Sequence, residues 1–162
     1  MRPAQPARIR SSLSAKGKRF VIVASRFHPP LARSLIRGAT SVLRRSGASS
    51  SSVRLLWVPG AFELPVVAAR AARSHPHPDA IVALGALIRG DTPQYEILAY
   101  AVTHGLTQVA VTTGVPVTCG LIVAETPAQA HARAGGAMGN RGEEAARAAL
   151  DVLHLFETLE TQ

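Results

Sequence analysis

Short continuous apolar runs alternate along the chain with stretches in which apolar residues recur every three or four positions. The continuous runs are rich in β-branched residues, as is typical of strands buried on both faces of a parallel sheet. They predict strands at Phe20–Ser25, Val53–Val58, Ala80–Ile88 and Val117–Val123. The amphipathic stretches predict helices from Pro29 to Ser46, from Leu64 to Arg73, from Gln94 to Thr112, from Pro127 to Arg133 and from Asn140 to Phe156.

The repeated strand-then-helix order predicts an α/β fold. We expect a four-stranded parallel sheet flanked by helices, with right-handed crossovers and no hairpin pair. Because ligands of such sheets bind beyond the carboxyl ends of the strands, the segments that directly follow the strands are the candidates for chemistry. These are Ser25–His28, Pro59–Glu63, Arg89–Thr92 and Ala124–Thr126. The sequence contains no Walker loop, no G-x-G-x-x-G fingerprint and no metal-ligand spacing of His or Cys.

Length and charge add an N-terminal arm to this picture. The chain has 162 residues and 47% hydrophobic residues, which fits one globular domain. Its net charge is +8, yet six of the 18 Lys and Arg residues lie in the first 19 positions, which hold no acidic residue. We therefore predict a basic, disordered arm over residues 1–19 and a single domain over residues 20–158. A near-neutral domain argues against a nucleic-acid partner.

The composition of the arm has a second interpretation. Organelle transit peptides are also Arg- and Ser-containing and poor in acidic residues, although Pro3 and Pro6 would interrupt the helix that such peptides form. The single cysteine, Cys119, excludes an intramolecular disulfide and fits a reducing cytoplasm. No apolar stretch reaches the length of about 18 residues that spans a bilayer, so no membrane partner is expected.

Two positions at predicted helix ends have the chemistry of phosphate binding. Gly90, Asp91 and Thr92 precede a helix whose free N–H groups and dipole favour an anion, but Thr92 could equally serve only as an N-cap. Arg133 ends a short helix just before the next one begins, which suits either a phosphate clamp or a solvated surface arginine.

Aromatic residues in two loops suggest a planar ligand. Phe27 and Phe62 both follow strands in a chain with only 4% aromatic residues, so either could stack on a ring or pack in the core. Glu63 could accept hydrogen bonds from ring N–H groups or cap the following helix. The six histidines share no face, and most of them are expected to be exposed or structural.

Four motifs in order resemble the 6,7-dimethyl-8-ribityllumazine synthase family, from about Phe20 to Leu155. The motifs are Val58–Pro65 (VPGAFELP), Leu84–Thr92 (LGALIRGDT), Thr113–Val117 (TGVPV), and Ala132–Gly135 with Gly139–Gly142 (ARAG and GNRG). The resemblance implies a flavodoxin-like three-layer sandwich. It also implies a transferase that condenses 5-amino-6-(D-ribitylamino)uracil with 3,4-dihydroxy-2-butanone 4-phosphate, without cofactor or metal.

The resemblance assigns substrate-binding roles to residues of this chain. Phe27 would stack on the pyrimidine. Gly90, Asp91 and Thr92 would hold the butanone phosphate, with Arg133 of an adjoining subunit. The residues that would contact the pyrimidine and the ribityl chain are Ala61, Phe62, Glu63, Ala86, Leu87 and Ile88.

Three residues depart from the family pattern. Gln94 stands where the family has a catalytic histidine, and because an amide cannot titrate it cannot relay a proton. Cys119 stands where a neighbouring subunit usually places an aromatic ring over the substrate. Arg141 replaces a lysine and keeps its charge.

The resemblance therefore favours an active synthase of riboflavin biosynthesis. Two alternatives follow from Gln94: a catalytically weak shell protein that binds lumazine or flavin, or a paralogue with altered chemistry. Family active sites lie between the subunits of a pentamer. The linker Gly135–Met138 carries no insertion, which in this family is compatible with a 60-subunit icosahedral shell.

Overall fold

The sheet has the four parallel strands that the sequence predicts. A computed structural model describes residues 13–160. The strands of the sheet are β1 (Phe20–Ser25), β2 (Val53–Val58), β3 (Ala80–Ile88) and β4 (Val117–Ala124). They run in the order β2-β1-β3-β4, and all three pairings are parallel. The α/β class and the flavodoxin-like sandwich expected from the sequence are thus confirmed.

Helices cover both faces of this sheet. They are α1 (Pro29–Arg45), α2 (Leu64–Ala72), α3 (Gln94–Thr113), α4 (Pro127–Arg133) and α5 (Arg141–Glu160). Two one-turn 3₁₀ helices, Ser50–Ser52 and Ala61–Glu63, lie beside β2. Helix α5 continues four residues beyond the predicted end at Phe156.

A short hairpin contradicts the expectation that the fold has no antiparallel pair. Strands β5 (Ala134–Gly136) and β6 (Gly139–Asn140) pair antiparallel between α4 and α5. Gly135 and Gly139 have φ values of 104° and 82°, which residues with a side chain rarely adopt. The glycines that predicted only a chain break therefore also allow a tight reversal.

The core consists of two layers that the central strands separate. Every residue of β1 is buried, and alternate side chains face opposite helices. Ile22 packs with α1 and α5, whereas its neighbour Val23 packs with α2 and α3. Each fully buried aliphatic side chain contributes roughly 1.5–3 kcal/mol relative to its exposed state. This alternation explains why Ser25, at its end, is the only polar residue of the strand.

Helix α1 and the start of α5 approach closely because Gly38 of α1 and Gly142 of α5 lie at their contact. A β-carbon at Gly142 would overlap the carbonyl oxygen of Leu35, and one at Gly38 would lie 2.5 Å from Asn140 Oδ1. Asn140 uses that oxygen to accept hydrogen bonds from the backbone N–H groups of Gly142 (2.9 Å) and Glu143 (3.3 Å). It therefore caps α5, whose first turn would otherwise have unpaired donors.

Part of the expected arm lies against the domain. Ala15 is fully buried and its N–H donates to the carbonyl of Ser46 at 2.7 Å. Lys18 Nζ lies 2.7 Å from Glu157 Oε1 on α5. That hydrogen bond raises the pKa of Lys18 and lowers the pKa of Glu157. Residues 1–12 of the expected arm lie outside the described residues.

Among the helices of residues 13–160, none combines the length and the apolar character needed to cross a membrane.

Candidate active site

A cavity of about 560 Å³ opens at the carboxyl ends of β1, β2 and β3. Strand β2 lies on one side of β1, and the chain then crosses to β3 on the other side of β1. The strand order therefore reverses between β1 and β3. Open α/β sheets bind their ligands in the crevice at this point. The lining residues are Phe27, His28, Gly60, Ala61, Phe62, Glu63, Ala86, Leu87, Ile88, Gly90, Thr92, Gln94, Tyr95 and Leu98.

The segment after β1 supplies the first aromatic wall of the cavity. Phe27 is 65% exposed, and its backbone N–H donates to the hydroxyl of the fully buried Ser25 at 3.2 Å. Because that hydroxyl is fixed by the core, the turn that presents the ring is fixed as well. The His28 ring meets Phe27 edge-on, with centroids 4.9 Å apart.

The segment after β2 supplies a second aromatic ring and a carboxylate. Glu63 Oε2 accepts a hydrogen bond from the Gly60 N–H at 2.8 Å, which closes the loop around the one-turn helix Ala61–Glu63. Phe62 within that turn is 61% exposed. An exposed aromatic side chain at the rim of a cavity provides a flat apolar surface on which a planar ligand can stack.

The end of β3 and the start of α3 form the remaining walls. Ala86, Leu87 and Ile88 line the cavity from β3. Helix α3 begins at Gln94, and its N-cap is Pro93. The interpretation of Thr92 as N-cap is therefore wrong, because the proline ring fixes the turn one residue later and no side chain caps the helix. The first N–H groups of α3 remain suited to an anion near Gly90 and Thr92.

Tyr95 is the phenol that lines the cavity. Its hydroxyl donates to Glu96 Oε1 at 2.9 Å, and this bond raises the pKa of Tyr95 above its ordinary value of 10.0. The phenol is therefore protonated at neutral pH.

Two predicted site arginines lie together away from this cavity. Arg141 Nη1 donates to Glu144 Oε2 at 2.8 Å, and Arg133 Nη2 lies 3.4 Å from the same oxygen. Arg133 also donates to the carbonyl of Met138 at 3.3 Å across the β5–β6 hairpin. One carboxylate thus holds two guanidinium groups, and the cluster keeps a net positive charge suited to an anion.

Cys119 and Asp91 also lie outside the cavity lining. Cys119 lies in the middle of β4, half-buried, where it is paired with Ala83. Asp91 is exposed in the turn between β3 and α3. Within residues 13–160, no three His, Cys, Asp or Glu side chains cluster as metal ligands.

Four of the lining residues received no individual substrate-binding role from the sequence: His28, Gly60, Tyr95 and Leu98. Gly60 and His28 belong to segments that directly follow strands, so their position was available as a signal. Tyr95 and Leu98 lie one turn apart on α3. That both face the cavity can be inferred only once the first residue of α3 is known.

Fold and cavity together define an α/β protein with a small-molecule site at the switch point of a parallel sheet. The site combines aromatic walls, a carboxylate and a helix N-terminus. A sequence model described as 6,7-dimethyl-8-ribityllumazine synthase matches residues 17–157. The chain belongs to that family.

Proteins of that name share much of the sequence. A 6,7-dimethyl-8-ribityllumazine synthase of Chlorobium phaeobacteroides is 46% identical over 94% of this chain and 97% of its own length. One from Gemmatimonas aurantiaca is 49% identical over 88% of this chain and 86% of its own length. One from Thermus thermophilus is 41% identical over 96% of this chain and 98% of its own length.

Proposed function

We propose that the protein is a transferase of riboflavin biosynthesis that makes 6,7-dimethyl-8-ribityllumazine. It condenses 5-amino-6-(D-ribitylamino)uracil with 3,4-dihydroxy-2-butanone 4-phosphate and releases phosphate and water. The observation that carries this proposal is the cavity at the switch point, which joins Phe27, Phe62 and Glu63 to the N-terminus of α3. The similarity to synthases along almost the whole chain supports it.

The cavity suits the two substrates at different ends. Phe27 stacks on the pyrimidine, and Glu63 accepts hydrogen bonds from it or from the ribityl chain, together with the adjoining Ala61 and Phe62. The backbone of Ala86, Leu87 and Ile88 contacts the same substrate. Gly90, Asp91 and Thr92 hold the phosphate beside the first N–H groups of α3.

Positioning supplies most of the catalysis in this scheme. The aryl amine attacks the ketone and water leaves to give an imine, after which phosphate leaves by β-elimination. The resulting enol becomes a ketone, and the second amine closes the ring with loss of water. Holding both substrates in one cavity replaces a bimolecular encounter, and the anion site stabilises the leaving phosphate. Gln94 can orient a substrate or a water molecule there.

We further propose that the active site is completed by an adjoining subunit in a pentamer. Arg133, Arg141 and Cys119 lie outside the cavity of their own chain, so an adjoining copy can bring them to it. Exposed apolar side chains on α3, including Ile97, Tyr100 and Val111, support an interface, because such groups are seldom left in water together. Arg133 then binds the butanone phosphate, with Arg141 beside it.

The linker Gly135–Met138 in the β5–β6 hairpin carries no insertion, which in this family is compatible with assembly of such pentamers into a 60-subunit icosahedral shell. The single cysteine of the chain is compatible with a cytoplasmic location. Light scattering tests the assembly. We expect a mass near 60 chains. A mass near five chains overturns the shell, and a mass of one chain overturns the pentamer as well.

No observation favours the alternative of a weak lumazine- or flavin-binding shell protein, or of a paralogue with altered chemistry. The test is to mix the purified protein with both substrates and to follow lumazine fluorescence above the uncatalysed background. We expect saturable product formation. Replacing Glu63 with Gln should raise the KM for the pyrimidine, whereas Glu143→Gln on α5, outside the cavity, is the matched control. Background-level product from the unmodified protein overturns the proposal.

A further inference from the structure

The proposed reaction moves protons that Gln94 cannot accept or release. Among the residues that line the cavity, three have side chains that titrate: His28 from the end of β1, Glu63 from the turn after β2, and Tyr95 from α3. The β3 wall contributes only Ala86, Leu87 and Ile88. The choice of proton carrier within the described cavity therefore falls among these three groups.

Two of the three groups are already engaged. Glu63 Oε2 accepts the Gly60 N–H at 2.8 Å and holds its loop closed. The Tyr95 hydroxyl donates to Glu96 Oε1 at 2.9 Å. A phenol held protonated by a carboxylate is a poor base at neutral pH. Both groups thus already make a side-chain hydrogen bond within the protein.

His28 is free of such contacts. Among the described residues none forms a hydrogen bond to its ring nitrogens, and the ring is oriented by its edge-on contact with Phe27 at 4.9 Å. Phe27 is the side chain on which the pyrimidine is proposed to stack. An imidazole next to that ring therefore lies beside the proposed pyrimidine site. Imidazole is also the side chain that exchanges protons most readily near neutral pH.

The backbone at His28 is unusual as well. Its φ of 57° and ψ of 65° place it in the left-handed region, and it is the only non-glycine residue between positions 13 and 160 that lies there. Residues held in this region against local preference cluster at functional sites. The conformation turns the chain sharply between β1 and α1, so that the side chains of Phe27 and His28 both line the cavity.

We propose that His28 is the proton-transfer residue of this enzyme and supplies what Gln94 cannot. The proposal rests on the proposed function. Neutral His28 takes the proton from the carbon next to the imine carbon. The C–H electron pair forms a C=C bond, and the C–O bond to phosphate breaks with its pair on phosphate. The imidazolium then protonates the terminal methylene carbon while the enol hydroxyl releases its proton to solvent.

The experiment compares kcat and KM across pH for the wild type, His28→Asn, His131→Asn and the double variant His28→Asn with Gln94→His. Asparagine tolerates the left-handed backbone but cannot titrate. His131 is an exposed histidine on α4 outside the cavity lining and gives the matched control. Tryptophan fluorescence from Trp57 checks that each variant folds.

We expect His28→Asn to lower kcat by about 10²-fold or more, with little change in either KM and with a pH profile of kcat that differs from that of the wild type. We expect His131→Asn to match the wild type and the double variant to recover turnover. A wild-type kcat and pH profile in His28→Asn, a change in KM alone, or no recovery in the double variant overturns the role of His28 while the synthase stands. Absence of product from the wild type overturns both.

Discussion

Asn140 occupies the space that a side chain at Gly38 would need. A β-carbon on Gly38 would lie 2.5 Å from Asn140 Oδ1 and 2.7 Å from Nδ2. The same amide caps α5 through Oδ1 and donates from Nδ2 to the carbonyl of Ser34 at 3.0 Å. One asparagine therefore ties α1 to the start of α5, directly beside the cluster of Arg133, Arg141 and Glu144.

Gly38→Ala should destabilise the fold. The new methyl group displaces Asn140, so α5 loses its cap and α1 loses a hydrogen bond, for a total of about 2 kcal/mol or more. Urea unfolding measures the change in the free energy of unfolding. Arg37→Ala, at an exposed position of the same helix, is the control and should differ little from wild type. A stability of Gly38→Ala equal to that of the control would contradict the packing role of Asn140.

Arg133→Ala should weaken binding of the butanone phosphate far more than binding of the pyrimidine. A hydrogen-bonded charge is worth about 1.5–3 kcal/mol, so we expect a rise of roughly 10- to 100-fold in the KM for the phosphate substrate. Steady-state kinetics with each substrate varied in turn measures the effect. Arg147→Ala is the matched control, because Arg147 pairs with Glu143 at 2.8 Å and not with Glu144. Equal weakening of both substrates would count against a phosphate clamp.

Gln94→His should raise kcat, because it places an imidazole in the same cavity as the proposed phosphate site. If His28 already transfers protons, the gain in the wild-type background is smaller than the gain in His28→Asn. Single-turnover fluorescence measures both. Gln94→Asn, which cannot titrate either, should give no gain. An unchanged or lower rate in Gln94→His would show that another group transfers the protons. No gain from Gln94→His in the His28→Asn background would show that the side chain at position 94 does not reach the reacting atoms.

The Lys18–Glu157 pair should make stability depend on pH at both ends of the range. The lowered pKa of Glu157 stabilises the fold above its ordinary value of 4.5, and this contribution is lost as pH falls through the lowered folded value. The raised pKa of Lys18 stabilises the fold below 10.5, and this contribution is lost as pH rises through the raised folded value.

Glu157→Gln should therefore reduce thermal stability slightly between pH 4.5 and 10.5 and not at lower pH. The effect is small because Glu157 is exposed and Lys18 is only partly buried, and added salt should reduce it further. Melting curves over a pH series measure it. Asp151→Asn removes a carboxylate from the same helix and serves as the control for net charge. A pH-independent difference between wild type and Glu157→Gln would rule out the ion pair as its origin.

The sequence predicted the sheet because burial on both faces leaves a strong pattern. Phe20–Ser25 and Ala80–Ile88 contain almost no polar residues, and only a strand between two helical layers needs that composition. The hairpin β5–β6 left no such pattern. Its few residues are held by tertiary contacts such as Ser34 Oγ to the Ala134 carbonyl at 2.5 Å, which local sequence does not encode.

Part of the cavity lining could be predicted from the sequence for a related reason. Parallel strands end at one edge of the sheet, so residues that directly follow them, such as Phe27 and Gly60, converge without further information. No residue at helical or strand spacing from His28 distinguished it from the other five histidines. The proposed roles of Arg133 and Cys119 depend on the position of another copy of the chain, which neither periodicity nor the end of a strand predicts.

Cys119, half-buried on an edge strand of the sheet, is the one cysteine of each protomer. A nitroxide attached there would be the only spin on each chain, so dipolar spectroscopy would read the geometry between protomers without ambiguity of assignment. In an isolated ring of five, every label has two near and two distant neighbours, and two separations result, whereas a 60-subunit shell would add separations between rings. A twofold pair would give one separation. The same residue that departs from the family pattern thus makes the symmetry of the assembly directly measurable.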